Sequence, residues 1–263
     1  FGTAPLAEVL ITRFGGQSAM TFLGAGFIVV IGALTYAFRG GPEPAARHEP
    51  EEAEEEALPR RPEHPFKEHT PRQMLATKSF YGLWITYAIG TLAGLTAIGM
   101  TAPFGREVAG LSAAAAAAAV SAFGVLNGMG RPLFGWLHDA LGTRGTVVLS
   151  FGLIAIAAIV SMLAGSGVAV SFFIGFGLFW LMLGGWLAIA PAATTRLFGA
   201  ANYARNYGIM YTAYGVGALV GGSAFGALYA RFQSYSPMFV FVLAMCVVGV
   251  VVAYLLLEPA RKT

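Results

Sequence analysis

The chain contains 263 residues, of which 57% are hydrophobic and 11% are charged, whereas soluble domains contain about 25% charged residues. This composition excludes an ordinary soluble domain and predicts an integral membrane protein. The formal net charge is +3, and nine of the thirteen acidic residues lie between positions 40 and 70. The rest of the chain, which is mostly apolar, therefore carries more basic than acidic residues. Its positive charge belongs to a membrane protein and does not indicate nucleic-acid binding. The single cysteine, Cys246, excludes a disulfide framework and is expected to be a small packing residue.

The first 39 residues predict parts of two membrane helices. The chain opens without a methionine, and residues 1–12 have the pattern of the last turns of a truncated helix. We therefore expect the C-terminal part of a longer protein. Residues 17–38 form the first complete span, because at about 1.5 Å per residue they cross a hydrocarbon core of about 30 Å.

Residues 40–70 are rich in proline and glutamate and poor in large apolar residues. Such a stretch cannot bury enough surface to fold, which predicts a flexible, solvated linker. Its acidic run, residues 49–56, has a docking tail as the alternative interpretation. Thr70 and Pro71 then match an N-cap followed by the first helical residue, which predicts a short amphipathic helix.

The rest of the chain predicts six further membrane helices with short connections. Their predicted bounds are 79–102, 112–138, 146–166, 168–196, 203–230 and 236–257. Of the sixteen Lys and Arg residues, twelve fall on the linker side of the membrane and three on the opposite side. The positive-inside rule therefore places the linker and the C-terminus in the cytoplasm.

The remaining basic residue, Arg131, lies inside the span 112–138. An arginine there costs about 2.5–3.5 kcal/mol on insertion scales and marks a functional site by default. The spans 79–102, 168–196 and 203–230 contain no acid to pair with it. A bidentate pair with a carboxylate is therefore favoured over a structural arginine bonded to the backbone.

Several polar and aromatic residues are candidates to share this site. Asn127 precedes Arg131 by four residues and lies on the same helical face, where it contacts the substrate, orients the guanidinium or bonds a neighbouring helix. Tyr207, Tyr211 and Tyr214 share one face of the span 203–230. Weaker candidates are Trp186, Trp180 and Tyr87, because plain packing and interfacial anchoring also explain such residues.

The sequence lacks the motifs of several other classes of protein. It contains no Walker loop, no HExxH and no cysteine cluster. These absences give no sign of an enzyme, an ATP-driven pump, a metal site or a cofactor. The glycines near Arg131 follow no strand, so a dinucleotide site is not predicted, and close helix packing is favoured.

The stretch GWLHDALGTRG, residues 135–145, together with the helix layout, resembles the major facilitator superfamily. It is similar to the loop motif GxLxDxxGxR(R/K) of that superfamily. The resemblance implies a gating role for Gly135, Asp139, Gly142 and Arg144, with Asp139 capping a helix end or pairing with Arg144. For His138 we expect a solvated side chain, with a proton relay as the alternative.

Two further stretches, NGMGRPLFGW and FGAANYARNYGIMYTAYGVGALVG, resemble the oxalate:formate antiporter family and its monocarboxylate porter relatives. The resemblance implies that Arg131 pairs with the substrate carboxylate. Oxalate carriers of that family have a lysine in a TAKG setting, where this chain has Tyr214. The missing second cation favours a monocarboxylate over a dianion such as oxalate.

These observations predict an all-α polytopic membrane bundle of the superfamily fold. Its parts are the end of helix 5 and helix 6 (1–39), the cytoplasmic linker (40–70) and the C-terminal six-helix bundle (71–263). We expect a monomeric secondary transporter of small carboxylates in the inner (plasma) membrane, which works by proton symport or anion exchange. A dicarboxylate exchanger and a non-transporting sensor or scaffold of the same fold are the alternatives.

Overall fold

The computed structural model describes residues 15–37, 68–163 and 169–258. These residues form mainly helices, and none of them lies in a β-strand, which confirms the all-α prediction. The chain divides into two units, Phe1–Glu63 and His64–Thr263. In the first unit, helix α1 (Gly16–Ala37) agrees with the predicted span 17–38. The predicted truncated helix at 1–12 and linker residues 40–67 lie outside the described residues.

The described residues of the second unit, 68–163 and 169–258, form seven helices. They are α2 (Pro71–Leu75), α3 (Lys78–Glu107), α4 (Ala113–Leu163), α5 (Ala169–Phe198), α6 (Tyr203–Met210), α7 (Thr212–Phe232) and α8 (Ser236–Leu256). Five segments here are long and apolar enough to cross a membrane, with α6 and α7 taken together as one. The bounds follow the predicted spans closely at most ends, because hydropathy and charge determine where a helix can leave the bilayer.

The start of α2 forms as the sequence predicts. The Thr70 hydroxyl accepts a hydrogen bond from the Gln73 N–H, and the Gln73 side chain accepts one from the Thr70 N–H at 2.8 Å. Pro71 occupies the first helical turn. The predicted linker ends earlier than expected, however, since Glu68 and His69 already make tertiary hydrogen bonds.

In place of the predicted loop between the spans 112–138 and 146–166, the helix changes direction at a single non-helical residue, Gly142. Gly142 has φ 69° and ψ 174°, a combination open essentially only to glycine. The Thr146 hydroxyl donates to the Leu137 carbonyl at 3.2 Å, although nine residues of continuous helix would separate them by about 13 Å. Helix α4 therefore consists of two arms that turn back on each other at Gly142.

The predicted span 203–230 has a local irregularity at Tyr211, between α6 and α7, although the Tyr211 backbone keeps helical angles (φ −65°, ψ −16°). The Thr212 hydroxyl donates to the Ile209 carbonyl at 2.7 Å. In addition, the Trp84 indole N–H of α3 donates to the Thr212 hydroxyl oxygen at 2.9 Å. These contacts tie the junction of α6 and α7 to α3.

Glycines bring the first arm of α4 against α5. A Cβ at Gly130 would collide with the Leu181 carbonyl oxygen, and a Cβ at Gly184 would collide with the Asn127 carbonyl oxygen. This close approach is the packing mode expected of membrane helices with small residues at the crossing. Because Arg131 follows Gly130 directly, the crossing determines where Arg131 leaves the helix. Cys246 is buried in the core, as expected.

Candidate functional site

Arg131 lies on the exposed side of the first arm of α4. Within the described parts of the chain its guanidinium makes no hydrogen bond and no ion pair. Its positive charge acts on the hydroxyl of Tyr214, which lies on α7. The structure therefore leaves the guanidinium able to bind an anion beside Tyr214 and shows no structural pairing in the described residues.

The predicted tyrosines form one continuous row of rings along α6 and α7. Tyr211 and Tyr214 stack at 5.1 Å with an interplanar angle of 8°. Tyr207 lies 5.8 Å from Tyr211 and stacks on Tyr203 at 5.5 Å. Sequence reasoning missed Tyr203, although its position four residues before Tyr207 was a visible signal.

Tyr87 and Trp186 complete an aromatic cluster with this row. The Tyr87 ring lies 6.4 Å from both Tyr211 and Tyr214 and stacks on Trp186 at 6.0 Å. Both side chains are fully buried. The Trp186 indole N–H has no partner among the described residues, and the Tyr87 hydroxyl interacts with Tyr207 without forming a well-aligned hydrogen bond. Five of the aromatic residues that the sequence nominated one by one thus lie together. Two of their buried polar groups, the Tyr87 hydroxyl and the Trp186 indole N–H, have no hydrogen bond among the described residues.

Asn127 fastens two helices to each other. Its side-chain amide donates to the Trp180 carbonyl of α5 at 3.1 Å. Of the three roles that the sequence allowed, this is the helix–helix hydrogen bond. Trp180 itself donates its indole N–H to the Thr101 hydroxyl at 2.9 Å and is a packing residue.

The glycine-rich turn differs from the predicted arrangement in two respects. The Arg144 guanidinium lies 4.2 Å from the ring centre of Tyr254. The described residues contain no Asp139–Arg144 ion pair, so of the two roles expected of Asp139 the pairing with Arg144 is not formed in this structure. His138 was expected to be solvated but is only 2% exposed. Its ring bonds the Thr143 hydroxyl at 3.0 Å, because the turn at Gly142 folds the next helix over it. A Cβ at Gly135 would meet open space among the described residues.

Sequence reasoning also missed a polar cluster near the end of α3. The Glu107 carboxylate accepts hydrogen bonds from the Tyr229 hydroxyl at 3.2 Å and the Tyr235 hydroxyl at 2.8 Å. Burial, and after it the contact with Glu107, raises the pKa of Tyr235 above its usual value. These three residues line a cavity of about 410 Å³.

The family model of the Major Facilitator Superfamily matches residues 1–191. The chain belongs to this superfamily. It is 30% identical to the oxalate:formate antiporter of Oxalobacter formigenes over 167 residues, which are 63% of this chain and 40% of that protein. It is 26% identical to the uncharacterized MFS-type transporter YhjX of Escherichia coli (strain K12) over 153 residues, 58% of this chain and 38% of the relative.

A third relative is the uncharacterized 38 kDa protein in the 23S RNA operon of Thermoproteus tenax. Its identity is 30% over 161 residues, which cover 61% of this chain and 40% of that protein. The chain thus spans about two fifths of the length of the curated relatives that it matches. Family membership and the apolar helices together make it a multi-pass membrane protein of the superfamily.

Proposed function

We propose that this chain is part of a secondary transporter for small organic anions, with a monocarboxylate as the substrate class. The observation that carries the proposal is the exposed guanidinium of Arg131, which has no hydrogen bond or ion pair among the described residues and whose charge acts on the Tyr214 hydroxyl. A cation without a partner in a membrane span is costly, and its normal role is to meet a partner in a cavity.

The neighbouring side chains suit a small carboxylate with an alkyl portion. The planar guanidinium of Arg131 presents two parallel N–H donors to a carboxylate, and the Tyr214 hydroxyl supplies a further donor. The stacked rings of Tyr207, Tyr211 and Tyr214 offer an apolar wall to the rest of the substrate. Alternating access between two six-helix halves would carry the bound anion across the membrane.

Charge counting favours a monoanion. Among the described residues, Arg131 is the cation whose charge acts on the Tyr214 hydroxyl. A monocarboxylate neutralises it, whereas a dicarboxylate leaves one negative charge unpaired at a cost of several kcal/mol. The relative named as an oxalate:formate antiporter keeps a dicarboxylate exchanger as the second candidate.

The test is uptake of labelled lactate, formate and oxalate by the full-length protein with Arg131→Lys. Lysine keeps the charge but not the planar pair of donors. Hydrogen bonds to charged groups contribute about 1.5–3 kcal/mol, so we expect uptake to fall about tenfold or more at equal surface expression. Arg231→Lys, which changes an exposed arginine remote from the cluster in sequence, is the matched control. Near-normal uptake with Arg131→Lys would refute the binding role.

A further inference from the structure

Glu68 binds the connection between α5 and α6 through both carboxylate oxygens. Oε1 accepts from the Ala200 N–H at 3.1 Å and Oε2 accepts from the Ala201 N–H at 2.9 Å. Gly199, just before them, has φ 82°, and a Cβ there would collide with the Glu68 carboxylate. Two charge-assisted hydrogen bonds to adjacent backbone groups form a well-defined contact, and Gly199 is the residue that makes room for it.

His69 extends this contact in both directions. Its N–H donates to the Phe198 carbonyl at 2.9 Å. Its carbonyl accepts from the Asn202 and Asn206 side-chain amides at 3.3 and 3.0 Å. We call Glu68 and His69, with these bonded partners, the 68–69 anchor. The anchor joins the end of α5 to α6, although Glu68 and His69 precede the residues that they bond on α6 and its connection by 132 to 137 residues.

The anchor is adjacent in sequence to the aromatic cluster, because Asn206 of the anchor directly precedes Tyr207. Asn206 is fully buried and directly precedes Tyr207, whose ring contacts Tyr203 and Tyr211. Helix α6 continues into α7 through Tyr211, whose backbone keeps helical angles (φ −65°, ψ −16°), so the two form one span. The anchor bonds the first turns of this span, the end that carries Tyr207. Because Tyr207 directly follows the bonded Asn206, the contacts of the anchor act on how these turns present Tyr207.

We propose that Glu68 and Asn206 are positioning residues for the substrate site. Through the 68–69 anchor they hold α6 in the orientation that puts Tyr207 into the row of tyrosines. Neither residue touches the substrate. This inference rests on the proposed function, because it assigns Tyr207 to the site at which the carboxylate binds.

The test compares Glu68→Gln with the unaltered protein and with Glu258→Gln, both as full-length proteins. Glutamine keeps the size of the side chain but places an NH₂ group where one backbone N–H needs an acceptor. Glu258 is an exposed glutamate outside the anchor, so it controls for loss of a charge. The two readouts are amide hydrogen exchange of residues 199–210 and the KM and Vmax for labelled lactate and formate.

We expect faster exchange in residues 199–210 with Glu68→Gln and no change with Glu258→Gln. We also expect KM to rise about threefold to tenfold, less than the full effect of losing one hydrogen bond to a charged group, because the anchor acts on the site only through α6. The change in Vmax should be smaller. A purely structural role would instead lower Vmax through loss of folded protein and leave KM unchanged.

Three outcomes would overturn the inference. Unchanged exchange would show that the anchor does not hold α6. Faster exchange with an unchanged KM would show that the anchor does not position the site. Absence of saturable uptake by the unaltered protein would defeat the proposed function and this role with it, while the exchange data would still decide whether the anchor exists.

Discussion

Gly130→Ala adds one methyl group at the crossing of the first arm of α4 and α5. The added Cβ would collide with the Leu181 carbonyl oxygen and would lie 2.9 Å from the Gly185 nitrogen and 3.2 Å from the Gly184 carbonyl carbon. All three atoms belong to the backbone, so no side chain can rotate away. The two helices must separate, and Arg131 must move with the arm that carries it.

Two opposing terms determine the size of the effect. Replacing glycine by alanine inside a helix contributes about 1 kcal/mol of helix propensity. Overpacking a close contact costs about 1–3 kcal/mol, and occasionally more. Because the contact at Gly130 is with backbone on three sides, we take the upper part of that range and expect a net loss of about 1–2 kcal/mol in the free energy of unfolding.

The assay is thermal unfolding of the detergent-solubilised protein, combined with uptake of labelled lactate. Gly152→Ala is the matched control, because a Cβ at Gly152 meets no atom within 4 Å, and it should be neutral or stabilising. We expect Gly130→Ala to unfold at a lower temperature than Gly152→Ala and to transport less per folded molecule. If both variants unfold at the same temperature and transport equally, the close crossing does not support the site.

Three further predictions follow from single contacts. Tyr214→Lys supplies a second cation, so unlabelled oxalate should compete with labelled substrate better in this variant than in the unaltered protein. If oxalate already competes better than lactate with Tyr214 in place, the argument that one cation favours a monoanion is wrong. Asn127→Ala removes the hydrogen bond to Trp180 and should lower stability by about 0.5–1.5 kcal/mol with little change in KM, and a large rise in KM would instead restore a substrate role. Gly142→Ala forces a side chain into φ 69° and should cost about 1–3 kcal/mol in thermal unfolding, whereas Gly135→Ala should leave stability nearly unchanged.

The membrane helices and the isolated cation could be predicted because their causes are local. A span must be apolar over its whole length, and its ends are marked by charges, so hydropathy alone located α3, α5 and α8. Arg131 is conspicuous in sequence because its surroundings are apolar. The tyrosine row on α6 and α7 was visible for a related reason, since helical periodicity places side chains of such spacing on one face.

The roles of Asn127 and His138 depended on neighbours that are distant in sequence or across a turn. A half-buried amide bonds whichever acceptor packs opposite it, and for Asn127 this is the Trp180 carbonyl, 53 residues away. His138 is buried because Gly142 turns the chain back within a few residues. A glycine-rich stretch predicts a turn but not how tight it is, since glycine permits many conformations.

The sequence by itself thus determined the spans and the cation inside one of them, because these follow from the transfer free energies of consecutive residues. Only the tertiary structure decided that Tyr87 and Trp186 join the tyrosines of α6 and α7, and that Glu68 belongs to a folded contact rather than to the linker. Glu68 closes an acidic stretch whose composition predicts solvation. The hydrogen bonds from two backbone N–H groups, 132 and 133 residues away, hold Glu68 in the fold instead. Partners so distant in sequence cannot be recognised from the residues around Glu68.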